Sequence, residues 1–326
     1  MIYTRLPDEE SAQPRHLPFY LAMEEWLAAR RGDRFVMWQV NPTVIFGRNQ
    51  VIEAEVNLGF CRERGIEFYR RKSGGGCVYA DRQNIMVARI CDSDNVEESF
   101  ATFCDMVAAA LRALGIDAHR SGRNDITVGG RKISGNAFML LPGNRAIIHG
   151  TLLYDVDPEA MEGALTPSAE KLAAKGVSSV RSHVTTVSEH RPDLSIDALK
   201  QHLVQYLTDG TETLTPADVT EIERVAEPYF APSWIFDGRK PGRTRRRRIE
   251  GAGEFAVSVT LGDDGLITAV DLTGDFMPLG DVDALLDRLK GVRPEAEALS
   301  RALDGTSVPH VISGLSDNDF INLIIP

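Results

Sequence analysis

Three stretches of this chain combine charge, small residues and hydroxyls in ways that could do chemistry. The first is Arg70-Arg71-Lys72-Ser73-Gly74-Gly75-Gly76-Cys77-Val78-Tyr79, where three basic residues lead into three glycines. A glycine turn lets backbone come close to a ligand and can aim N–H groups at an anion. Arginine's planar fork suits a carboxylate or a phosphate. A surface turn with solvated cations fits the same letters, because glycine-rich matches arise often by chance.

The second stretch is Gly122-Arg123-Asn124-Asp125-Ile126-Thr127-Val128-Gly129-Gly130-Arg131-Lys132-Ile133-Ser134-Gly135-Asn136-Ala137. Gly129-Gly130 predicts a tight hairpin turn, since both glycines tolerate positive φ. Period-two alternation after it puts Lys132, Ser134 and Asn136 on one face and Ile133 on the other. A lysine among small polar residues would sit over a polar floor, between a substrate carboxylate and an α-phosphate. A solvent-facing lysine on an amphipathic hairpin is the alternative. The third stretch, residues 171–185, holds Lys171, Lys175 and Arg181 with Ser178, Ser179, Ser182 and Thr185. It reads either as a lid over a nucleotide or as a plain polar connection. Loops of this length without an element are uncommon unless functional or disordered, which favours the lid.

The elements that must position these residues are legible in outline. A first helix is expected over 17–29, with Phe19, Met23 and Trp26 on one face. Strands follow near 35–40, 43–46, 66–69, 77–79 and 85–90, punctuated by turn residues. A helix over 96–114 presents Phe100, Phe103, Val107 and Leu111, and Gly115 is placed to end it. Strands near 116–119, 126–128, 132–138 and 147–154 come next, then a long loop over 166–187 with a helical piece near 168–174. Helices near 196–207 and 217–229 close this part. Beyond a boundary at 228–232 the pattern restarts, with strands near 246–249, 255–261 and 266–272 and helices from 282 and 294. The fold class is therefore α+β, with a large unit over 1–230 and a smaller α+β unit over 231–326. The run Arg245 to Arg248 reads as a solvated strand edge, with a docking patch for a protein partner as the alternative.

Composition narrows the function. The chain is 43% hydrophobic and 25% charged, ordinary for a globular enzyme. A net charge of −11 argues against bulk nucleic-acid binding but leaves room for a local basic pocket. No stretch reaches the ~18 apolar residues of a membrane helix, and the first residues do not look like a signal peptide. A cytoplasmic location is the expectation. Cys61, Cys77, Cys91 and Cys104 have neither CxxC spacing nor a paired histidine cluster, so free thiols are expected rather than a disulfide framework or zinc site.

Taken together, "LPFYLAMEEWL", "RRKSGGGCVY", "GRNDITVGGRKISGNA", "HGTLLYD" and "KLAAKGVSSVRSHVTTV" occur in the order and at the separations of lipoate–protein ligases. The chain resembles that family over about 17–190, and its last ~95 residues look like the family's accessory domain. The resemblance implies a fold like that of biotin and lipoate ligases, with a mixed, mainly antiparallel sheet flanked by helices. It implies lipoate and ATP as substrates, with Mg²⁺. Lys132 would be the catalytic lysine. Arg71, Gly74, Gly75, Gly76, Cys77, Val78, Tyr79, Asn124, Asp125, Lys175, Ser179 and Arg181 would hold ATP or lipoyl-AMP. Arg70, Ser73, Lys132, Ser134, Gly135, His149 and Gly150 would line the lipoate side, and Asp125 would carry Mg²⁺. The acceptors implied are lipoyl domains of 2-oxoacid dehydrogenases and the glycine cleavage H protein. One departure stands out: where many relatives have "VYHD" and then Gly-Asn, this chain has Val78-Tyr79-Ala80-Asp81 and then Gln83-Asn84.

The implied chemistry has two steps: a carboxylate attacks the α-phosphorus of ATP, then an acceptor lysine attacks the mixed anhydride. Both build negative charge, so positioned cations and N–H groups would do most of the work. An ATP-independent octanoyl or lipoyl transferase of the same fold is one alternative; only Cys77 lies beside the proposed site. A non-catalytic lipoate or nucleotide sensor is another, and it has no evident need for Lys132. The accessory domain is expected to swing aside after adenylation, since one site must serve a nucleotide and then a protein.

Overall fold

The computed structural model describes residues 1–9, 13–166, 183–236 and 245–325. β1 (Ile2–Arg5) leads to α1 (Leu17–Ala28), β2 (Arg34–Trp38) and β3 (Thr43–Phe46). Short helices α2 (Ile52–Glu55) and α3 (Leu58–Arg64) precede β4 (Glu67–Arg70), β5 (Val78–Ala80) and β6 (Asn84–Asp92). Then come α4 (Val96–Ala113), β7 (Ala118–Ser121), β8 (Asp125–Val128), β9 (Arg131–Leu141), β10 (Arg145–Leu153) and α5 (Pro158–Ala164). β11 (Gly210–Thr213) lies between helices Ile196–Leu207 and Pro216–Ala226. The C-terminal part carries β12 (Arg245–Ile249), β13 (Gly253–Leu261) and β14 (Ile267–Gly274), with helices Val282–Asp287, Ala296–Ala302 and Asp317–Ile324.

Eight strands form the main sheet in the order β11-β1-β2-β6-β10-β9-β8-β7. β1 runs parallel to both β11 and β2, and the other pairs are antiparallel, so the sheet is mixed and mainly antiparallel. A smaller sheet, β4-β3-β5, and an antiparallel C-terminal one, β12-β13-β14, complete the strands. The α+β architecture expected from the sequence is the one observed.

Helices cover both faces of the main sheet, as alternating apolar strands require. On one face Phe19, Met23 and Trp26 of α1 pack with Val36, Ile90 and Ile147. On the other, Phe100, Phe103, Val107 and Leu111 of α4 pack with Leu199 and Leu203 of helix Ile196–Leu207. Each fully buried side chain of this kind contributes about 1.5–3 kcal/mol. Asn95 caps α4 by accepting from the Glu98 amide, and Glu97 and Glu98 sit in its first turn, where acids favour the helix dipole.

Some elements were not expected. β1 and β11 are four-residue strands whose parallel pairing spans most of the chain, and short polar segments such as GTET carry little strand signal of their own. α2, α3, α5 and the last helix, Asp317–Ile324, also lie outside the expected list. The C-terminal residues build their own core around Phe255, Phe276, Leu285, Leu299 and Phe320. Helix Pro232–Ile235, just past the expected division at 230, is held to the N-terminal body by Arg70, which donates to the Trp234 and Ile235 carbonyls. Among the described residues, no helix is long and apolar enough to cross a membrane.

Candidate active site

The β8–β9 hairpin turns through Gly129 (φ 56°) and Gly130 (φ 77°), as expected. Its pairing is irregular: Ser134 lies opposite Ile126, but Lys132 lies opposite Thr127, so Ile133 is an extra residue in β9. This β-bulge reverses the expected alternation. Residues opposite each other across strands share a face. Lys132 and Thr127 therefore face the same way as Asp125 and Gly135, while Ser134 turns with Ile126 into the interior. Ser134 is fully buried and donates to Asn136 Oδ1 at 3.3 Å. The expectation that Lys132, Ser134 and Asn136 share a face is corrected, and Ser134 does not reach the cavity.

That cavity measures about 1190 Å³, large enough for a nucleotide and an acyl chain. Lys132, Asp125, Thr127, Gly135, His149 and Gly150 line it, as do Arg71, Asn124 and the run Gly76, Cys77, Val78 and Tyr79. Lys132 Nζ sits 2.9 Å from Asp125 Oδ1, both largely buried, and His183 Nε2 lies 3.8 Å from Asp125 Oδ2. A Cβ at Gly135 would lie 2.2 Å from Lys132 Nζ, so the lysine reaches its place across a residue with no side chain. Asn124 and Asn136 bind each other: Asn124 Nδ2 donates to the Asn136 carbonyl at 2.9 Å and Asn136 Nδ2 to the Asn124 carbonyl at 3.1 Å. They brace the hairpin beside the lysine. The chain returns at Thr185, whose N–H donates to the Lys132 carbonyl at 2.8 Å. Lys175, Ser179 and Arg181 lie outside the described residues, as does the helical piece expected near 168–174.

The basic-glycine segment divides its labour differently from the expectation. Arg70 does not line the cavity: it is fully buried, and its guanidinium donates to the carbonyls of Arg48 and Gln50 at 2.7 Å and of Ile235 at 2.9 Å. Arg71 reaches the cavity wall but also holds the turn, donating to the Gly74 carbonyl at 2.7 Å, the Gly76 carbonyl at 2.8 Å and the Ile45 carbonyl at 3.1 Å. Burial lowers its pKa to about 10, which leaves it charged at neutral pH. Ser73, Gly74 and Gly75 stand away from the cavity. The expected anion nest is not formed by Gly75: its N–H donates to the Phe276 carbonyl at 3.3 Å. A Cβ on Gly74 would lie 2.3 Å from that same oxygen. These glycines admit the C-terminal segment rather than a ligand.

Behind the cavity wall runs a buried polar chain. Arg71 Nε donates to Ser73 Oγ (3.1 Å), Ser73 Oγ meets His149 Nε2 (2.7 Å), and His149 Nδ1 meets Glu24 Oε2 (2.7 Å). Trp38 Nε1 donates to Glu24 Oε1 at 3.3 Å. The partners imply that Nδ1 carries the imidazole proton and that Nε2 accepts from the serine. The order resembles a hydrolase triad, but Ser73 is 2% exposed and already accepts from an arginine, so it orders the wall instead of attacking a substrate.

Sequence reasoning passed over two residues here. Glu24 was visible as an acid inside the apolar stripe LPFYLAMEEWL. Arg123 lies in the second motif but received no role: it is half-buried, lines the cavity, and donates to the carbonyls of Ala252 and Asp275. Burial lowers its pKa, with Asp275 working in the opposite direction. Ala80, which stands where many relatives have the histidine of "VYHD", is fully buried against the α1 face and does not line the cavity. Burial also raises the pKa of the Cys61, Cys91 and Cys104 thiols, to about 12 for Cys104, as suits inert core residues.

Residues 17–208 match the family model described as the lipoyl protein ligase A/B catalytic domain, and residues 242–324 match the bacterial lipoate protein ligase C-terminus. The chain is 32% identical to lipoate-protein ligase LplJ of Bacillus subtilis, over 93% of this chain and 95% of that protein. Its fold is similar to the crystal structure of P. falciparum LipL1 in complex with lipoate (TM-score 0.75, 19% identity, covering 99% of this chain and 97% of that one). It is also similar to a lipoate-protein ligase A bound with ATP (TM-score 0.61, 24% identity, covering 72% and 97%).

Proposed function

The chain belongs to the lipoate–protein ligase family, and on that premise we propose that it converts lipoate and ATP to lipoyl-AMP and passes the lipoyl group to a lysine of an acceptor protein. The observation that carries the assignment is a single cavity bringing together Lys132, Arg71 and the Gly76–Tyr79 backbone, with Lys132 laid over Gly135. We assign Lys132 to the space between the lipoate carboxylate and the α-phosphate. Its partner in the structure, Asp125, orients the ammonium, and substrate anions would compete for it. Arg71 and residues 76–79 are assigned to the adenylate, and His149, Gly150 and Gly135 to the acyl side. Lys175, Ser179 and Arg181 are assigned to a covering loop on the strength of the family motif alone.

Activation requires the carboxylate oxygen to attack the α-phosphorus as pyrophosphate leaves. Two anions meet, so a preorganised cation lowers the barrier by opposing charge as it accumulates. Mg²⁺ arrives in this reading on the nucleotide. Among the described residues no group of three His, Cys, Asp or Glu side chains could hold a metal alone, and Mg²⁺ bound through phosphates needs only one or two carboxylates. Asp125 is the one we assign to it. The acceptors we propose are lipoyl domains of 2-oxoacid dehydrogenases and the glycine cleavage H protein, the acceptor classes the family motifs imply. A cytoplasmic location accords with the four cysteines, all free thiols. We read residues 1–230 as the catalytic domain and 231–326 as the accessory domain; the separate C-terminal core supports this.

The test is pyrophosphate release from purified protein with MgATP and lipoate, followed by the mass of an added lipoyl domain. Lipoate-dependent release is expected, and Lys132→Ala should lower its rate by about 10²–10³, the scale of one preorganised electrostatic partner. Acyl transfer without ATP, with no pyrophosphate, would replace this reading with the transferase one.

A further inference from the structure

The arginine run on β12 has a use beyond blunting a sheet edge. Arg245 donates to the Leu323 carbonyl at 2.7 Å, near the end of the chain. Arg246 pairs with Glu254 at 3.4 Å. Arg248 lies directly opposite Glu254 in the β12–β13 register, yet among the described residues no hydrogen bond or ion pair engages its guanidinium. Period-two alternation sends Arg246 and Arg248 to one face of β12 and Arg245 and Arg247 to the other. Arg248 lines the same cavity as Lys132, along with Glu250, Gly251, Gly253 and Asp275 from the C-terminal part. One wall of the proposed active site is therefore contributed by the accessory region.

The electrostatics of that wall are uneven. Arg123 is neutralised by Asp275, whose carboxylate lies 3.7 Å away, and Lys132 by Asp125. Arg248 brings a further cation close enough to Arg123 to lower that residue's pKa. Of these three cations Arg248 has no carboxylate bonded to it among the described residues, and a cation left so on a cavity wall favours an anionic occupant. In an adenylating enzyme the most highly charged part of the substrates is the β,γ-diphosphate of ATP.

We propose that Arg248 grips the β- and γ-phosphates of ATP and steadies the departing pyrophosphate, so that the accessory region supplies a residue for activation that transfer does not need. In that step the carboxylate oxygen bonds to the α-phosphorus, and the bond from the α-phosphorus to the bridging oxygen breaks. Pyrophosphate leaves with that electron pair, and Arg248 opposes the charge it gains. The adenylate left behind lacks those phosphates, so Arg248 has no part in the attack by the acceptor lysine. The inference rests on the lipoate-ligase reading and names a residue for one of its two half-reactions.

Both half-reactions are measured separately in the full-length protein: lipoate-dependent pyrophosphate release with MgATP, and transfer from chemically synthesised lipoyl-AMP to a lipoyl domain. Arg248→Ala should lower kcat/KM for ATP about 10–100-fold, the range for one charge-assisted contact, while transfer stays within about twofold of wild type. Arg247→Ala, on the opposite face, should alter neither, and Arg248→Lys should recover part of the loss. An unchanged kcat/KM for ATP in Arg248→Ala overturns the inference, and so does an equal loss in both half-reactions, which would make Arg248 an acceptor-docking or folding residue. Wild-type protein that releases no pyrophosphate would sink the ligase reading and this inference with it; the other two outcomes sink the inference alone.

Discussion

Lys132 can reach the cavity because of two local facts in β9. The bulge at Ile133 turns its side chain away from the interior, and Gly135 leaves the space through which the ammonium passes. Gly135→Ala would put a methyl group 2.2 Å from the present position of Nζ. The clash is with the mobile end of a long side chain, so the fold should survive it with an unfolding midpoint close to wild type. The ammonium would be displaced by an ångström or so, and misplacement on that scale can cost up to about 10²-fold. We expect pyrophosphate release to fall at least tenfold. Wild-type kinetics in this variant would show that the lysine's position over Gly135 is immaterial.

At the scale of elements, α1 does more than cover the sheet. It carries Glu24, 1% exposed, into an apolar face, where the carboxylate meets His149 and Trp38. A buried acid is tolerated only when its oxygens are satisfied, and its partners depend on it equally. Glu24→Ala leaves two buried N–H groups without their acceptor and should lower stability by about 1–3 kcal/mol, read by urea unfolding. Glu24→Gln, which keeps an acceptor oxygen, should lose less. If the alanine variant unfolds at the wild-type urea concentration, the network has no net stabilising role. The cavity wall at His149 inherits its shape from this buried network, because the imidazole is held at both ring nitrogens.

For the whole molecule, the docking of the C-terminal part decides which residues meet a ligand. Met277 is fully buried within the core beneath α4, the Phe276 carbonyl takes the Gly75 N–H, and Arg123 binds the backbone at residues 252 and 275. Gly74→Ala would set a Cβ 2.3 Å from the Phe276 oxygen and 2.9 Å from Met277 Cα. Both are backbone atoms that cannot step aside singly, so the segment should detach as a unit. We expect a larger radius of gyration by small-angle scattering, impaired pyrophosphate release, and retained transfer from synthetic lipoyl-AMP. An unchanged radius with normal activation would mean that these contacts do not hold the C-terminal part in place. Release of the same contacts would accompany the swing expected after adenylation, and identical arrangements with and without lipoyl-AMP would count against that motion.

Much of this protein was legible in its residues. Periodicity placed α1, α4 and most strands, because each buries an apolar stripe whose spacing is set locally. The Gly129-Gly130 turn followed from backbone sterics alone, and the order of five motifs named the family. Other features depended on partners far away in the chain. The strand character of β1 comes from β11, some 200 residues on. Which glycines face a ligand was decided by the segment Phe276–Pro278 seated on Gly74, and the roles of Arg70 and Arg71 by which carbonyls surround them. A one-residue bulge took Ser134 off the face that Lys132 occupies, and no alternation rule applied to a single strand can see it, since a bulge is a property of two strands in register. Local sterics and hydrophobic spacing can be read from one segment; burial, charge pairing and close approach belong to pairs, and only the tertiary structure brings the pairs together.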